Sequence, residues 1–373
     1  MLHFETVVIG AGLLGLGVAE RLSRESRTVL LVEVRERPAQ VTSSRNSQVL
    51  HAALYYPQGS LKARLCLRGN TSLAQWCEAH AVPLKRVGKL IVATAPDEEG
   101  ALLRLLEQAR ANGVPGIEAV DAGFVKRLEP EVRASAALWS PSTGILDVHA
   151  LAQSLWTAAE DQGATVALRH RFVRGGRVGA GYQLHLVDPQ GDPIEVECSS
   201  VVNAAGLHAD TVAESWGLDV ERLGYRQHWV KGRYFRVRAP GRVKHLVYPV
   251  PLPGLAGLGI HVTVGLDGEV KLGPDVEPLA QRVEDYAVPE EAAERFFAGA
   301  VRYLPWLTRE LLSPDQAGIR PKLSRPGEPA RDFVIAEESA RGLPGLITLA
   351  GMESPGLTAT LEIADEVHTL LTL

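Results

Sequence analysis

Thr6-Val7-Val8-Ile9-Gly10-Ala11-Gly12-Leu13-Leu14-Gly15 passes from an apolar strand through a glycine turn into a helical run over 16–24, and a second apolar strand ends at Glu33. A Gly-x-Gly-x-x-Gly in that place builds a helix N-terminus that faces a pyrophosphate, with an acid about twenty residues on for a ribose hydroxyl. Gly10 makes the tight turn, Gly12 lets backbone approach phosphate, and Gly15 lets helix and strand pack closely. Gly10, Gly12, Leu13, Leu14, Gly15, Glu33 and Val34 are therefore candidate dinucleotide contacts. The turn alone does not separate nicotinamide from flavin cofactors.

Two further strand-to-helix crossings lie far along the chain. An apolar strand over 195–202 enters Asn203-Ala204-Ala205-Gly206 and a helix over 208–216, and a short strand over 346–349 enters Gly351 to Gly356 and a terminal helix over 357–371. Three crossings so spread predict one Rossmann-like sheet assembled from discontinuous pieces, 1–86, 145–217 and 315–373. The intervening 87–144 and 218–314 form a second, antiparallel-sheet substrate domain, so the class is α/β, or α+β overall. Hydrophobic spacing predicts a helix pair over 60–80 broken at Gly69-Asn70, a strand over 87–93 and a helix over 97–112. A three-stranded meander is expected over 172–178, 182–187 and 195–202, with strands at 231–237, 245–249, 259–264 and 270–272.

The 373 residues suit about two domains. With 39 basic and 44 acidic residues interleaved, a net charge of -5 supplies no nucleic-acid footprint. No basic segment precedes the first strand and the apolar run 246–260 is broken by Pro and Gly, so a cytoplasmic protein is expected, with peripheral contact at the inner face of a membrane left open. The 3 cysteines form no Cys-x-x-Cys and fit a reduced compartment. Neither a metal-binding His-Glu-x-x-His nor a Gly-x-Ser-x-Gly elbow occurs.

A discontinuous nucleotide sheet favours FAD, whose far end is held by groups from elsewhere in the chain. Reduction places negative charge on the flavin N1–C2=O region, which backbone N–H groups and the dipole of the last helix would stabilise. Gly351, Gly356, Leu357 and Thr358 are the candidates for that task.

The blocks Asn46-Ser-Gln-Val-Leu-His51-Ala-Ala-Leu-Tyr55-Tyr56, Gly88-Lys-Leu-Ile-Val-Ala93, Asn203-Ala-Ala-Gly206, Tyr248-Pro-Val-Pro251, Gly318-Ile-Arg320-Pro-Lys322 and Glu353-Ser-Pro-Gly-Leu-Thr358 resemble the L-2-hydroxyglutarate dehydrogenase/oxidase group of the D-amino-acid-oxidase-like flavoenzymes. The resemblance spans the whole chain. It implies an FAD enzyme oxidising an L-2-hydroxy acid to a 2-oxo acid, with oxygen or a membrane quinone as acceptor. The expected FAD contacts then extend to Thr42, Ser43, Ser44, Asn46, Ser47, Val173, Ala204, Ala205, Gly206, Gly318, Glu353 and Ser354. Two departures stand out. Ala53-Leu54 replaces the group's usual Gly-Ile, which would narrow the site beside His51. The flavin-anchoring cysteine and late carboxylate-binding lysine of the sarcosine-oxidase branch are both missing, which implies non-covalent FAD and weighs against an amine oxidase.

Oxidising a secondary alcohol at a flavin needs hydride transfer from C2 to N5 and removal of the hydroxyl proton, a task for neutral imidazole. His51 is the first candidate base and His261 the second. A small carboxylate substrate needs fixed cations. Arg320 and Lys322 suit that role, as do Lys231 and its neighbour Arg233, with Tyr55, Tyr56 and Tyr248 as hydrogen-bond donors. Two other readings compete: an amine or amino-acid oxidase of the same superfamily, and a flavin-binding protein without turnover.

Overall fold

The computed structural model describes residues 2–251 and 259–372, so part of the apolar run 246–260 lies outside the described residues. Contacts divide the chain into two compact units, Met1–Ser44 with Val148–Trp229 and Arg320–Leu373, and Arg45–Asp147 with Val230–Ile319.

In the first unit, strand Leu2–Ile9 is parallel to Val29–Glu33 on one side and to Pro193–Asn203 on the other. Its last four residues are buried, as a strand covered on both faces by helices must be. Thr165–Leu168 extends the parallel set beyond Val29–Glu33. Pro193–Asn203 is shared between two neighbours: residues 193–198 pair antiparallel with Gly181–Val187, and 201–203 pair parallel with Leu343–Ala350. The meander expected over 172–202 is thus part of the same sheet as the glycine turn. Val7, Leu30, Val32, Val201 and Leu346 fill one core of this unit. Helix Leu13–Ser23 packs against Thr360–Thr372 and Val148–Asp161. The close approach falls at Gly17, where a Cβ would come within 2.9 Å of the Thr360 side chain.

The second unit is built on a sheet running from Glu277–Pro278 through His228–Val237, Val270–Leu272, Val262–Val264, Leu246–Pro249, Lys89–Ala93 and Ala136–Ser140 to Glu118–Asp121. Lys89–Ala93 pairs parallel with Leu246–Pro249; the remaining registered pairs along the sheet are antiparallel. A small sheet of Val49–Leu50, Gly144–Leu146 and Leu84–Lys85 lies in the same unit.

Several elements depart from expectation for identifiable reasons. Residues 45–86, expected with the nucleotide domain, group with the second unit, because helix Leu61–Ala79 buries Cys66 in a cluster with Ile91, Ala93 and Leu102. Residues 218–229 group with the first unit, where Trp229 donates its indole N–H to the Leu207 carbonyl at 3.1 Å; residues 315–319 group with the second. The expected helix pair is one helix, Leu61–Ala79. Gly69 and Asn70 are buried within it, and tertiary hydrogen bonds of Asn70 outweigh the poor helix propensity of Gly-Asn. The terminal helix begins at Thr360 rather than 357, although Ala359 N–H already donates to the Pro355 carbonyl at 3.0 Å. Strands Leu312–Lys322 and Val334–Glu338 had no periodic signal, the first because Pro314 and Pro321 read as loop punctuation.

Candidate active site

The glycine turn has the form a dinucleotide demands. Gly10 has φ +103°, and a Cβ there would lie 2.6 Å from the Ala204 carbonyl oxygen. A Cβ on Gly15 would overlap the Gly10 carbonyl. Gly12 caps helix Leu13–Ser23 without a side chain, and Ser43 accepts the Leu13 N–H at 3.0 Å; Leu14 follows in the first turn. The two Glu33 carboxylate oxygens accept the N–H groups of Ala11, at 2.7 Å, and Arg35, at 2.9 Å, which fixes the acid at the mouth of the turn with lone pairs still available. Beyond it Val34, Arg35, Gln40, Arg169 and Arg171 line a groove of about 590 Å³. Val173 is exposed on the terminal strand Arg171–Val178. Thr42 and Ser44 are half-buried, and Ser44 donates to the Val41 carbonyl at 3.2 Å.

The later crossings of this unit are tied together by Gln227, which sequence reasoning missed. Its buried amide donates to the carbonyls of Gly206, at 2.9 Å, and Leu207, at 3.2 Å, and accepts the Gly351 N–H at 2.9 Å. Ala204 N–H donates to the Ile9 carbonyl at 2.9 Å, Ala205 follows, and Gly206 has φ +55° with open space where a Cβ would stand. In the turn before the last helix, Glu353 pairs with Lys322 at 2.9 Å, and Ser354, Gly356, Leu357 and Thr358 lead to Thr360. A glycine cradle that excludes Cβ atoms, a helix N-terminus capped by glycine and an acid held at its mouth fit the ADP half of FAD.

The second unit holds a polar cluster in an apolar wall. Tyr248 is 1 % exposed and stacks on His261, with ring centroids 3.7 Å apart. The Lys89 Nζ sits 4.0 Å from the Tyr248 ring centroid and 5.5 Å from that of Tyr55. His51 follows strand Val49–Leu50 and keeps part of its surface accessible. Its pKa lies well below the ordinary histidine value, because the apolar surroundings disfavour imidazolium and Lys89 and His261 oppose a further positive charge. Burial also raises the phenols of Tyr55 and Tyr248 above their usual range, so both are protonated donors. The backbone of Tyr56 is held from the neighbouring helix, its carbonyl accepting from Asn112 at 2.8 Å and Gln108 at 3.0 Å. Ala53 has φ +58° and is fully buried, a left-handed conformation that favours glycine. Asn46 and Ser47 belong to this unit; Ser47 Oγ lies 2.9 Å from the Tyr234 hydroxyl, and the Asn46 carbonyl accepts from Gln316 at 3.1 Å. Gly318 admits the Arg45 carbonyl where a Cβ would stand.

The expected cations are largely committed. Lys231, 3 % exposed, pairs with Asp285 at 2.8 Å, and Arg233 is held by Asp275 at 2.6 Å and Glu277 at 3.0 Å. Lys322 is neutralised by Glu353, whereas Arg320 is half-buried on strand Leu312–Lys322. Lys89 was not singled out as a site residue, although a lysine opening the apolar run Lys-Leu-Ile-Val-Ala is a legible signal.

A family model described as FAD dependent oxidoreductase matches residues 5–369. A curated mitochondrial L-2-hydroxyglutarate dehydrogenase of Arabidopsis thaliana is 38% identical, covering 97% of this chain and 82% of the relative. The chain belongs to the FAD dependent oxidoreductase family, in its L-2-hydroxyglutarate dehydrogenase group. FAD is therefore the cofactor of this oxidoreductase. The human mitochondrial L-2-hydroxyglutarate dehydrogenase is 29% identical over 98% of this chain and 89% of its own. The fold is shared with FAD-bound L-alpha-glycerophosphate oxidase of Mycoplasma pneumoniae, at TM-score 0.86 and 24% identity over 100% of this chain and 96% of that one. It is shared too with glycine oxidase of Geobacillus kaustophilus, at TM-score 0.82 and 20% identity over 100% and 95%.

Proposed function

We infer that this oxidoreductase converts an L-2-hydroxy acid, L-2-hydroxyglutarate first, to its 2-oxo acid, with His51 taking the hydroxyl proton. The observation that carries the reading is the environment of His51, a residue of intermediate burial whose imidazole is kept neutral by desolvation and by its neighbours Lys89 and His261. When bound, FAD supplies the hydride acceptor at N5. The protein's share is the proton: neutral imidazole presents a lone pair to the alcohol, and an anionic substrate raises the basicity of His51 as it binds. Tyr55 and Tyr248, held protonated, orient substrate oxygens by donation. The identity to L-2-hydroxyglutarate dehydrogenases over nearly the full chain supports the choice of substrate.

Anaerobic addition of L-2-hydroxyglutarate should bleach the flavin, and admission of oxygen then tells an oxidase from an enzyme that reduces a quinone. Bleaching by amino acids with no response to any short 2-hydroxy acid would overturn the assignment.

A further inference from the structure

Among the described residues, the second unit contains a cation with no anion. Lys89 has no exposed surface, and its Nζ has no hydrogen-bond partner. The side chain reaches across one sheet face from the start of strand Lys89–Ala93, where Lys89 pairs with Leu246 and Ile91 with Tyr248, and rests on the Tyr248 ring. Cation–π contact compensates only part of an ammonium's lost hydration. The Tyr55 hydroxyl, next to it, is likewise buried without a partner. Two unsatisfied donors, a lysine and a phenol, close to His51 and His261 and without a facing carboxylate, make an anion site rather than a structural ion pair.

We propose that Lys89 anchors a carboxylate of the substrate, with the Tyr55 hydroxyl as second donor. This assignment rests on the reading of the substrate as a small carboxylate. It differs from the expected pattern, in which Lys231, Arg320 and Lys322 supply the charge; Lys231 and Lys322 already hold carboxylates of the protein. Lys89 deprotonates near neutrality because burial opposes its charge, so an arriving carboxylate would both satisfy the amine and draw a proton onto it.

The test uses the FAD-loaded enzyme and glutarate, which has the carboxylates but no oxidisable hydroxyl, with binding read from the flavin spectrum. Lys89→Met should weaken glutarate at least 30-fold while its unliganded Tm equals or exceeds that of wild type, since it removes an unpartnered buried amine. Binding within threefold of wild type, or no glutarate binding by the wild type, would overturn the anchor. If Lys89→Met does not fold, calorimetry of the wild type at pH 8.5 in buffers of different ionisation enthalpy decides. Uptake approaching one proton per glutarate is expected, because Lys89 titrates at about 7 whereas His51, lowered well below 6.5, stays neutral at pH 8.5 with glutarate bound, and Tyr55, Tyr248 and Cys66 are already protonated; no uptake refutes the proposal. Lys89-dependent glutarate binding without bleaching by L-2-hydroxyglutarate would refute the hydroxy acid alone, whereas bleaching with full binding by Lys89→Met would refute the anchor alone.

Discussion

The side-chain amide of Asn70 donates to the His51 carbonyl at 2.8 Å. The same nitrogen donates to the Ser142 carbonyl at 3.0 Å, and its oxygen accepts from Arg86 at 2.9 Å. A polar residue in the middle of helix Leu61–Ala79 thereby holds the backbone that presents His51. Losing a buried donor from such a set costs about 1–3 kcal/mol. Asn70→Asp keeps the shape but cannot donate, so denaturant unfolding should place it with Asn70→Leu, well below wild type, and kcat should fall with stability. Wild-type stability and turnover in Asn70→Asp would rule out this positioning role.

Gln227 joins the Gly206 and Gly351 loops of the nucleotide unit. Gln227→Glu retains an acceptor for the Gly351 N–H and loses both donations to the Gly206 and Leu207 carbonyls. The Kd of FAD, titrated into apoprotein by flavin fluorescence, should rise about tenfold, corresponding to roughly 1.4 kcal/mol. An unchanged Kd would show that these loops hold their places unaided.

His51 should shape the acid limb of the pH profile. Its folded pKa is lowered well below 6.5, so the base stays neutral and kcat/KM should hold through pH 6.5 and fall only below it. The unfolded histidine takes up its proton near the ordinary value while the folded one does not, so stability falls as pH drops below 6.5. His51→Gln should flatten that fall and lower kcat about 10²–10⁴-fold. An acid limb centred at or above pH 6.5 in wild-type kcat/KM contradicts a buried neutral base.

Lys89 works in the opposite pH range. The folded group titrates at about 7, against an ordinary 10.5, so between those values the unfolded chain binds the extra proton and stability rises with pH, by at most about 1.4 kcal/mol per unit. Below pH 7 both states are protonated and this increment is gone. The difference in unfolding free energy between wild type and Lys89→Met should therefore vary with pH over 7–10 in the wild type's favour, a comparison in which His51, His261, Tyr55, Tyr248 and Cys66 are common to both. A difference independent of pH would mean that Lys89 is not buried in solution.

The sequence by itself determined what is local. Gly10 to Gly15 between two apolar strands specifies a dinucleotide turn because only glycine fits where a carbonyl oxygen approaches within 2.6 Å of a missing Cβ, and the small residues at 203–206 and 351–356 marked the later crossings. His51 and Tyr248 became candidates only through the resemblance of their neighbourhoods. Tertiary structure decided what depends on partners distant in the chain. Asn70 looked like a helix break and Gln227 carried no signal, since nothing in their own neighbourhoods announces the carbonyls they bind. Nothing in the sequence separates Lys231, Lys322 and Lys89 by their partners; only the fold gives the first two their carboxylates and leaves the third buried against Tyr248, because the energy of a charge is set by what surrounds it and not by the residue that carries it.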